Sequence, residues 1–360
     1  MRILVITWDG GGNGNPTVEL SRRLRVAGHE VTAFGPSSLA DRFGADEVAY
    51  VVRSAADEWD PRALAIDARA AIGDASADVV VVDYMMPAAL SAAVAIERPV
   101  VAVVHTLYGA LLVEGAPSPM SMATTVDGLN AARHELGLQR VDRLADALDE
   151  CRSVMVAVPA ELDADLEHRT PNVRYVGPLL EGPGPDEGWR PPFVDERPLV
   201  VVSLGSTPMG QVPAIQSVLD GLAGAPVRVL AMAPPHVDPG VFVLPANAAV
   251  VGYVRHAAVM PYAAAVVSHA GLGTVVAALA HGLPQVCVPL GREQPDNAAA
   301  VVRVGAGVVV PPEDVVERIA DAVVEVLEIP SYRAAATRLE WAIGGDVAGF
   351  DAVEVVTGAG

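Results

Sequence analysis

Residues Ser268–Val308 read SHAGLGTVVAALAHGLPQVCVPLGREQPDNAAAVVRVGAGV and alternate short β-branched runs with helical stretches. One strand ends at Ser268, and glycines followed by Thr274 open a helix. A second strand ends near Pro289 and a third begins at Gly307. Short strands that alternate with helices of this length predict βαβ units and a parallel sheet. The stretch therefore predicts an α/β domain.

The same alternation extends outward over the rest of the chain. Only the segment between Gly177 and Pro198, GPLLEGPGPDEGWRPPFVDERP, is dense in glycine and proline and has no periodicity, which predicts a linker. Strands are predicted before it at 2–7, 30–34, 78–82, 99–105 and 153–158, followed by an extended piece at 173–177. After it, strands are predicted at 199–203, 227–232, 249–254, 264–268, 285–289 and 307–310.

A chain of 360 residues exceeds what one hydrophobic core usually organises. We therefore predict an α/β protein of two doubly wound parallel-sheet domains that face each other across a cleft. The predicted divisions are a first domain at 1–177, a linker at 178–197, a second domain at 198–330, and a C-terminal helix at 331–360 that packs back on the first domain.

Composition narrows the function. No apolar run approaches the roughly 20 residues of a membrane helix, and the N-terminal run is too short for a signal peptide, so we expect a cytoplasmic protein that does not span a membrane. All 24 basic residues are arginine, which excludes a Schiff-base or Walker lysine. The net charge of −20 argues against a nucleic-acid partner. We expect a monomer or homodimer.

The residues at the predicted strand ends indicate an anion site. An imidazole at His269, backbone amides and a helix dipole converge after Ser268, where a diphosphate could sit. The loop after the next strand presents Glu293 and Gln294, and a carboxylate beside an amide can hold vicinal hydroxyls. The spacing thus predicts one half that holds phosphate and one that holds sugar.

Other ligand motifs are absent. The glycines after the first strand do not complete G-x-G-x-x-G, because the third position is Thr17, and the second strand carries no terminal acidic residue for a ribose. The only D-x-D, Asp163-Ala164-Asp165, lies inside a predicted helix. We therefore expect no cofactor and no metal.

The segment resembles the donor-binding signature of the nucleotide-sugar glycosyltransferases that decorate actinobacterial natural products, which are relatives of the UDP-glycosyltransferases. The matching motifs are His-x-Gly, Gly-x-x-Pro, the acidic-Gln pair, Asp-Asn-Ala and Gly-Ala-Gly, with SLGS at Ser203–Ser206 before them. Agreement through the N-terminal half is weaker. The resemblance implies the GT-B fold of two Rossmann-like domains, in which the domain at 1–177 would bind the acceptor and the domain at 198–330 the nucleotide-sugar donor. It also implies a metal-independent hexosyltransferase that takes a TDP- or UDP-sugar, with a deoxyhexose as the expected sugar, and a hydrophobic small-molecule acceptor.

The resemblance also assigns donor-binding roles. His269 would bind the diphosphate with a hydroxyl from Ser206, while Tyr253 and the backbone of Val254 would hold the base. Glu293 stands where Asp is usual in the family. Amides, a hydroxyl and sugar contacts would come from Gly271, Gly273, Thr274, Glu293 and Gln294.

The family's usual catalytic base is missing. Members that glycosylate hydroxyls place a histidine or aspartate just before the proline that opens the first helix, and here Asn13 occupies that position before Pro16. A neutral amide cannot act as a general base. Asp83 could act directly or through water, the acceptor could be acidic or a nitrogen or carbon nucleophile, or another residue could substitute. Asp83 ranks first, followed by Asp9 and His105.

The segment Leu107–Thr124 is rich in Gly, Met and apolar residues, which suit a loop around an irregular apolar acceptor. Packing on the core is the alternative. The candidate acceptor contacts are Trp8, Thr106, Tyr108 and Met120. The predicted reaction is an inverting sugar transfer. Two other functions stay open: a nucleotide-sugar epimerase or hydrolase of the same fold, and a non-catalytic donor-binding protein.

Overall fold

The computed structural model describes residues 1–12, 14–53, 60–112, 125–163, 170–180, 188–344 and 350–358. The chain forms two compact units. Met1–Leu180 and Ala348–Gly360 make up the first unit, and Glu181–Val347 make up the second. None of the described helices is long and apolar enough to cross a membrane.

The described part of the first unit contains a seven-stranded parallel sheet in the order β3-β2-β1-β4-β5-β6-β7. The central strands are buried valine-rich runs, as expected when helices cover both faces of a parallel sheet. The strands are β1 (Arg2–Ile6), β2 (Glu30–Gly35), β3 (Ala49–Val52), β4 (Val79–Asp83), β5 (Val100–Val104), β6 (Ser153–Val156) and β7 (Val173–Tyr175).

The sequence did not predict β3. This strand lies at the edge of the sheet and most of its residues are exposed, so it lacks the buried apolar run that marks the other strands. The helices of this part of the chain are α1 (Gly14–Val26), α2 (Ala40–Gly44), α3 (Pro61–Asp74), α4 (Pro87–Ala95), α5 (Tyr108–Leu112), α6 (Val126–Glu135) and α7 (Asp146–Asp149).

The second unit repeats the design with a six-stranded parallel sheet in the order β10-β9-β8-β11-β12-β13. Its strands are β8 (Leu199–Ser203), β9 (Arg228–Met232), β10 (Ala248–Val251), β11 (Ala265–Ser268), β12 (Gln285–Cys287) and β13 (Gly307–Val309). Its helices are α8 (Gln211–Gly221), α9 (His256–Val259), α10 (Leu272–Leu279), α11 (Gln294–Arg303), α12 (Val315–Glu328) and α13 (Pro330–Gly344).

The C-terminal segment is divided between the units, whereas the sequence assigned 331–360 as one piece that packs on the first domain. Helix α13 belongs to the second unit, where Leu339 is buried and Arg333 donates to the carbonyls of Gly282 and Ala264. Only the last helix, α14 (Ala352–Thr357), packs on the first unit, where it buries Val356. The buried residues of α13, Ala335, Ala336 and Leu339, thus pack within the second unit, whereas Trp341 is 75% exposed.

In both sheets the direction in which the chain adds new strands reverses near the centre, although all strands are parallel. In the first unit the chain runs outward from β1 to β3 and then returns to β4, and the second unit does the same between β8 and β11. Ligands of such sheets bind beyond the carboxyl ends of the strands that flank this reversal. Asp83 ends β4, while Ser203 ends β8 and Ser268 ends β11. The topology thus brings candidate residues of each unit to a binding edge.

Candidate active site

The ring of His269, which follows β11, fits between two glycines. A Cβ atom at Gly205 would lie 2.7 Å from Nε2 of His269, and one at Gly271 would lie closer still. Real Cβ atoms essentially never approach another atom so closely. A side chain at either glycine, in the SLGS or the His-x-Gly motif, would therefore force this imidazole to shift.

The His269 ring is neutral at physiological pH. Burial lowers the pKa of His269 to about 4, and the positive charge of Arg292 adds to the effect. The backbone of Ser203 partly opposes this shift in pKa. Nδ1 of His269 is buried and has no hydrogen-bond partner among the described residues. A neutral imidazole can still donate one N–H to a phosphate oxygen.

The backbone beside this ring is held in a left-handed conformation. Ala270 has a φ of 61°, which is costly for a residue with a Cβ. The Ser268 hydroxyl accepts its N–H at 3.0 Å, and the Nδ2 group of Asn297 donates to its carbonyl at 3.0 Å. Backbone strain of this kind is typical of ligand-binding loops. The sequence included Asn297 in a matching motif but gave it no role.

The strained turn leads directly into α10. Gly271 is the N-cap and supplies no side-chain hydrogen bond, so no side chain caps the first-turn amides. Thr274 is buried and Gly273 is exposed in the same turn, while Ser206 is half-buried in the loop after β8. Uncapped amides and the positive end of the helix dipole form an anion-binding environment.

The glycine requirement can be tested by stability. Gly271→Ala should lower the free energy of unfolding by about 1–3 kcal/mol, the usual cost of overpacking, because its Cβ meets the His269 ring. Gly273→Ala is the matched control, since a Cβ there has nothing within 4 Å and alanine favours a helix by about 0.5–1 kcal/mol. Urea denaturation measures both, and equal stability of the two variants would contradict the packing described.

A second histidine links the segment after β10, where contacts to the base were predicted, to the end of β8. His256 Nε2 lies 3.2 Å from the hydroxyl of Ser203. Burial, followed by the charges of His269 and His281, lowers the pKa of His256 to about 4. Tyr253 is 58% exposed, so its ring is not a core aromatic, whereas Val254 is buried. The sequence named Tyr253 and Val254 but missed the His256 contact, which links two segments distant in sequence.

Gln294 closes the loop in which the sugar contacts were predicted. It is 2% exposed, and its Oε1 accepts the N–H groups of Leu290 at 2.7 Å and Gly291 at 3.1 Å. Its Nε2 lies 3.6 Å from the sulfur of Met209. The amide thus holds the loop in shape, a role that the sequence did not predict. Glu293 is half-buried immediately before α11, and its contact with a sugar stays a prediction.

In the first unit, Asp83 and His105 form a pair at the ends of β4 and β5. The Asp83 side chain is 0% exposed, and both of its oxygens lie 3.1 Å from Nε2 of His105. The N–H of Met85 donates to Oδ1 of Asp83, and the Tyr84 ring packs edge-on against the His105 ring. The sequence named both residues as separate candidates, and only the parallel pairing of β4 with β5 brings them together.

The other candidate base residues lie in the loop after β1. Asp9 accepts the N–H of Gly11 at 3.0 Å, so one carboxylate oxygen shapes the glycine turn. Trp8 is half-buried beside it. Asn13 lies outside the described residues, and its expected role stays a prediction.

The predicted acceptor contacts separate into different environments. Thr106 is buried, and its hydroxyl has no hydrogen-bond partner among the described residues. Tyr108 is 1% exposed and its hydroxyl lies 3.4 Å from the Thr170 hydroxyl, so it is an interior residue of the first unit, and its contact with an acceptor stays a prediction. Met120 lies outside the described residues.

Asp163 anchors the beginning of α5. Its carboxylate accepts the N–H groups of Tyr108 and Gly109 and the hydroxyl of Tyr175. The residue follows a short 3₁₀ turn at Ala160–Leu162 and has an extended backbone, so the prediction that it lies inside a helix was wrong. Asp165 lies outside the described residues.

Two family models match the chain. Residues 216–346 match the C-terminal domain of erythromycin biosynthesis protein CIII-like proteins, and residues 10–144 match Glycosyltransferase Family 4.

The PGL/p-HBAD biosynthesis rhamnosyltransferase of Mycobacterium bovis (strain BCG / Pasteur 1173P2) is 37% identical over 181 residues, which are 50% of this chain and 39% of that protein. The 4'-demethylrebeccamycin synthase of Lentzea aerocolonigenes is 34% identical over 194 residues, 52% and 45% of the two chains. The aligned region thus spans less than half the length of either relative.

Solved structures match almost the entire chain. The glycotransferase of kitacinnamycin has a TM-score of 0.79 and 24% identity, with 94% of this chain and 93% of that chain covered. The spinosyn rhamnosyltransferase complexed with thymidine diphosphate has a TM-score of 0.74 and 19% identity, with both chains covered completely. The fold is therefore that of the GT-B glycosyltransferases. The sequence-based resemblance to actinobacterial natural-product glycosyltransferases is confirmed by these comparisons.

Proposed function

We propose that this protein transfers a sugar, with inversion and without a metal, from a TDP- or UDP-sugar to a hydrophobic small molecule. The observation that carries the proposal is the His269 ring, held between Gly205 and Gly271 at the start of an uncapped helix. A thymidine diphosphate complex of a protein with the same fold supports a nucleotide donor. The name of the rebeccamycin relative supports a natural-product acceptor. The name of the mycobacterial relative, a rhamnosyltransferase, supports a deoxyhexose as the sugar.

The second unit would hold the donor. The leaving diphosphate gains negative charge as its bond to the anomeric carbon breaks, and hydrogen-bond donors fixed in advance stabilise such charge. The amides at the start of α10 and the neutral ring of His269 are donors of this kind. Tyr253, Val254 and Ser206 would contact the nucleotide, and Glu293 would contact the sugar.

The first unit would take up the acceptor's proton. His105 donates Nε2–H to the buried Asp83 carboxylate, so the lone pair of the neutral ring lies on Nδ1. A carboxylate that orients an imidazole and stabilises its protonated form makes it a better base. In this proposal His105 receives the proton and Asp83 is its positioning residue. Asn13 would orient the acceptor, and Asp9 is the next candidate base.

A product screen tests the function. The chain would be incubated with TDP- and UDP-sugars and a panel of aromatic polyketides and indoles, with and without a chelator, and analysed by mass spectrometry. We expect a product whose mass equals acceptor plus sugar, an inverted anomeric centre by NMR, and little change with chelator. A strict metal requirement would contradict the mechanism.

Two other outcomes correspond to the alternative functions. Full-rate release of nucleotide without any acceptor would indicate an epimerase or hydrolase that acts on the donor alone. Calorimetric binding of nucleotide without turnover across the panel would favour a non-catalytic donor-binding protein. The Asp83 and His105 pair argues against the second outcome, because a binding module has no need of an oriented base.

A further inference from the structure

Positive charge is scarce in this protein. The chain has no lysine, and its 24 arginines are outnumbered by 44 acidic residues, for a net charge of −20. An anionic ligand is therefore repelled by most of the surface and needs a local cation to bind well. An arginine without a protein partner can supply such a cation.

In the described part of the second unit, Arg292 is the one arginine whose guanidinium makes no hydrogen bond, ion pair or ring contact. Every other arginine of residues 188–344 has such a partner. These partnered residues are Arg190, Arg197, Arg228, Arg255, Arg303, Arg318, Arg333 and Arg338.

Arg292 lies in the loop between β12 and α11, and the fold holds this loop in place. Its own φ is 56° and that of Gly291 is 149°, so two adjacent residues adopt conformations that favour glycine. Gln294 fixes the turn by accepting two of its amides. An arginine kept in a left-handed position, where glycine would cost less, indicates a role for its side chain.

The Arg292 charge reaches the proposed diphosphate site. β12 pairs in parallel with β11, so the loop that carries Arg292 and the residue His269 follow neighbouring strands at the same edge of the sheet. The Arg292 charge also helps to lower the pKa of His269. The side chain is exposed, so a bound ligand can approach it. His269 is uncharged and the α10 amides carry only partial charge, so none of these groups supplies a full positive charge to a diphosphate.

We propose that Arg292 binds the diphosphate of the nucleotide-sugar donor and neutralises its charge as it leaves. This inference rests on the proposed function and adds a residue that the sequence did not single out. A guanidinium offers several N–H donors in a planar fork, which suits phosphate oxygens. Arg292 would act beside His269, with the neutral ring donating one hydrogen bond and the guanidinium supplying the charge.

Calorimetry on the full chain tests the inference with thymidine, TMP and TDP, and with uridine, UMP and UDP. Arg292→Met removes the charge and keeps a long side chain. We expect it to weaken diphosphate binding about 10- to 100-fold, the usual range for a hydrogen bond to a charged group, and to leave nucleoside binding unchanged. The loss should shrink at high salt, and Arg292→Lys should restore part of the affinity.

Arg318→Met is the matched control. Arg318 lies on α12 and pairs at the surface with Asp314, so its replacement should leave nucleotide binding unchanged. If the wild-type chain bound neither diphosphate, the proposed function and the inference would both fail. If it bound a diphosphate and Arg292→Met bound equally well, only the inference would fail. Equal weakening of nucleoside and diphosphate binding would show that Arg292 shapes the loop, which also overturns the inference.

Discussion

Replacement of His269 by alanine is expected to lower turnover by about two to three orders of magnitude while the protein stays folded. Removal of one donor from a group that develops negative charge usually costs this much. Because burial lowers the pKa of His269 to about 4, the ring is neutral from pH 5 upward. Its contribution should therefore be constant between about pH 5 and 9. Steady-state kinetics across this range measures both effects.

His281→Ala is the control for this experiment. His281 lies just beyond the other end of α10, where Nδ1–H donates to the Ala277 carbonyl, so its loss should leave turnover nearly unchanged. Circular dichroism and thermal unfolding would confirm that both variants fold. A loss of less than fivefold in His269→Ala would remove the diphosphate role from this residue.

Replacement of Asp83 or His105, in the first unit, is expected to lower turnover by a comparable factor. Asp83→Asn keeps an oxygen for the Met85 N–H but can place an amide N–H against Nε2 of His105, which reverses the ring's tautomer. His105→Gln removes the proposed base. Each change should lower turnover by about 10²- to 10⁴-fold, the range of general-base catalysis, with nucleotide binding unchanged. Kinetics and calorimetry check the two statements.

The double variant identifies the base. If His105 takes the proton and Asp83 positions it, the double variant should be no slower than His105→Gln alone, since residues that act as a unit are not additive. A large loss in Asp83→Asn with full activity in His105→Gln would make Asp83 the base, directly or through water. Full activity in both would favour an acceptor that ionises by itself or attacks through nitrogen or carbon.

Asn13→His should improve transfer to weakly acidic hydroxyls if the acceptor approaches the loop after β1.

The strand and helix order of both units could be predicted from the sequence because parallel strands are buried on both faces. Such strands, as in Val79–Asp83 and Val100–Val104, are continuous apolar runs that no polar alternation obscures. The exposed edge strand Ala49–Val52 carries no such signal and was missed. The C-terminal segment was misplaced because its apolar residues could pack on either unit, and the sequence does not say which.

For the site, the sequence by itself determined which residue types follow the central strands: glycines and a histidine after β8 and β11, and acidic or imidazole groups after β4 and β5. These residue types can be assigned to strand ends from the sequence, because the apolar run of each strand shows where that strand ends. Only the tertiary structure decided which of them touch. The contacts of His105 with Asp83, His269 with Gly205, and Asn297 with Ala270 join residues 22, 64 and 27 positions apart. Sheet register and helix packing bring residues that are so far apart in sequence into contact. Both depend on the core of the whole unit, so the local sequence does not predict these contacts.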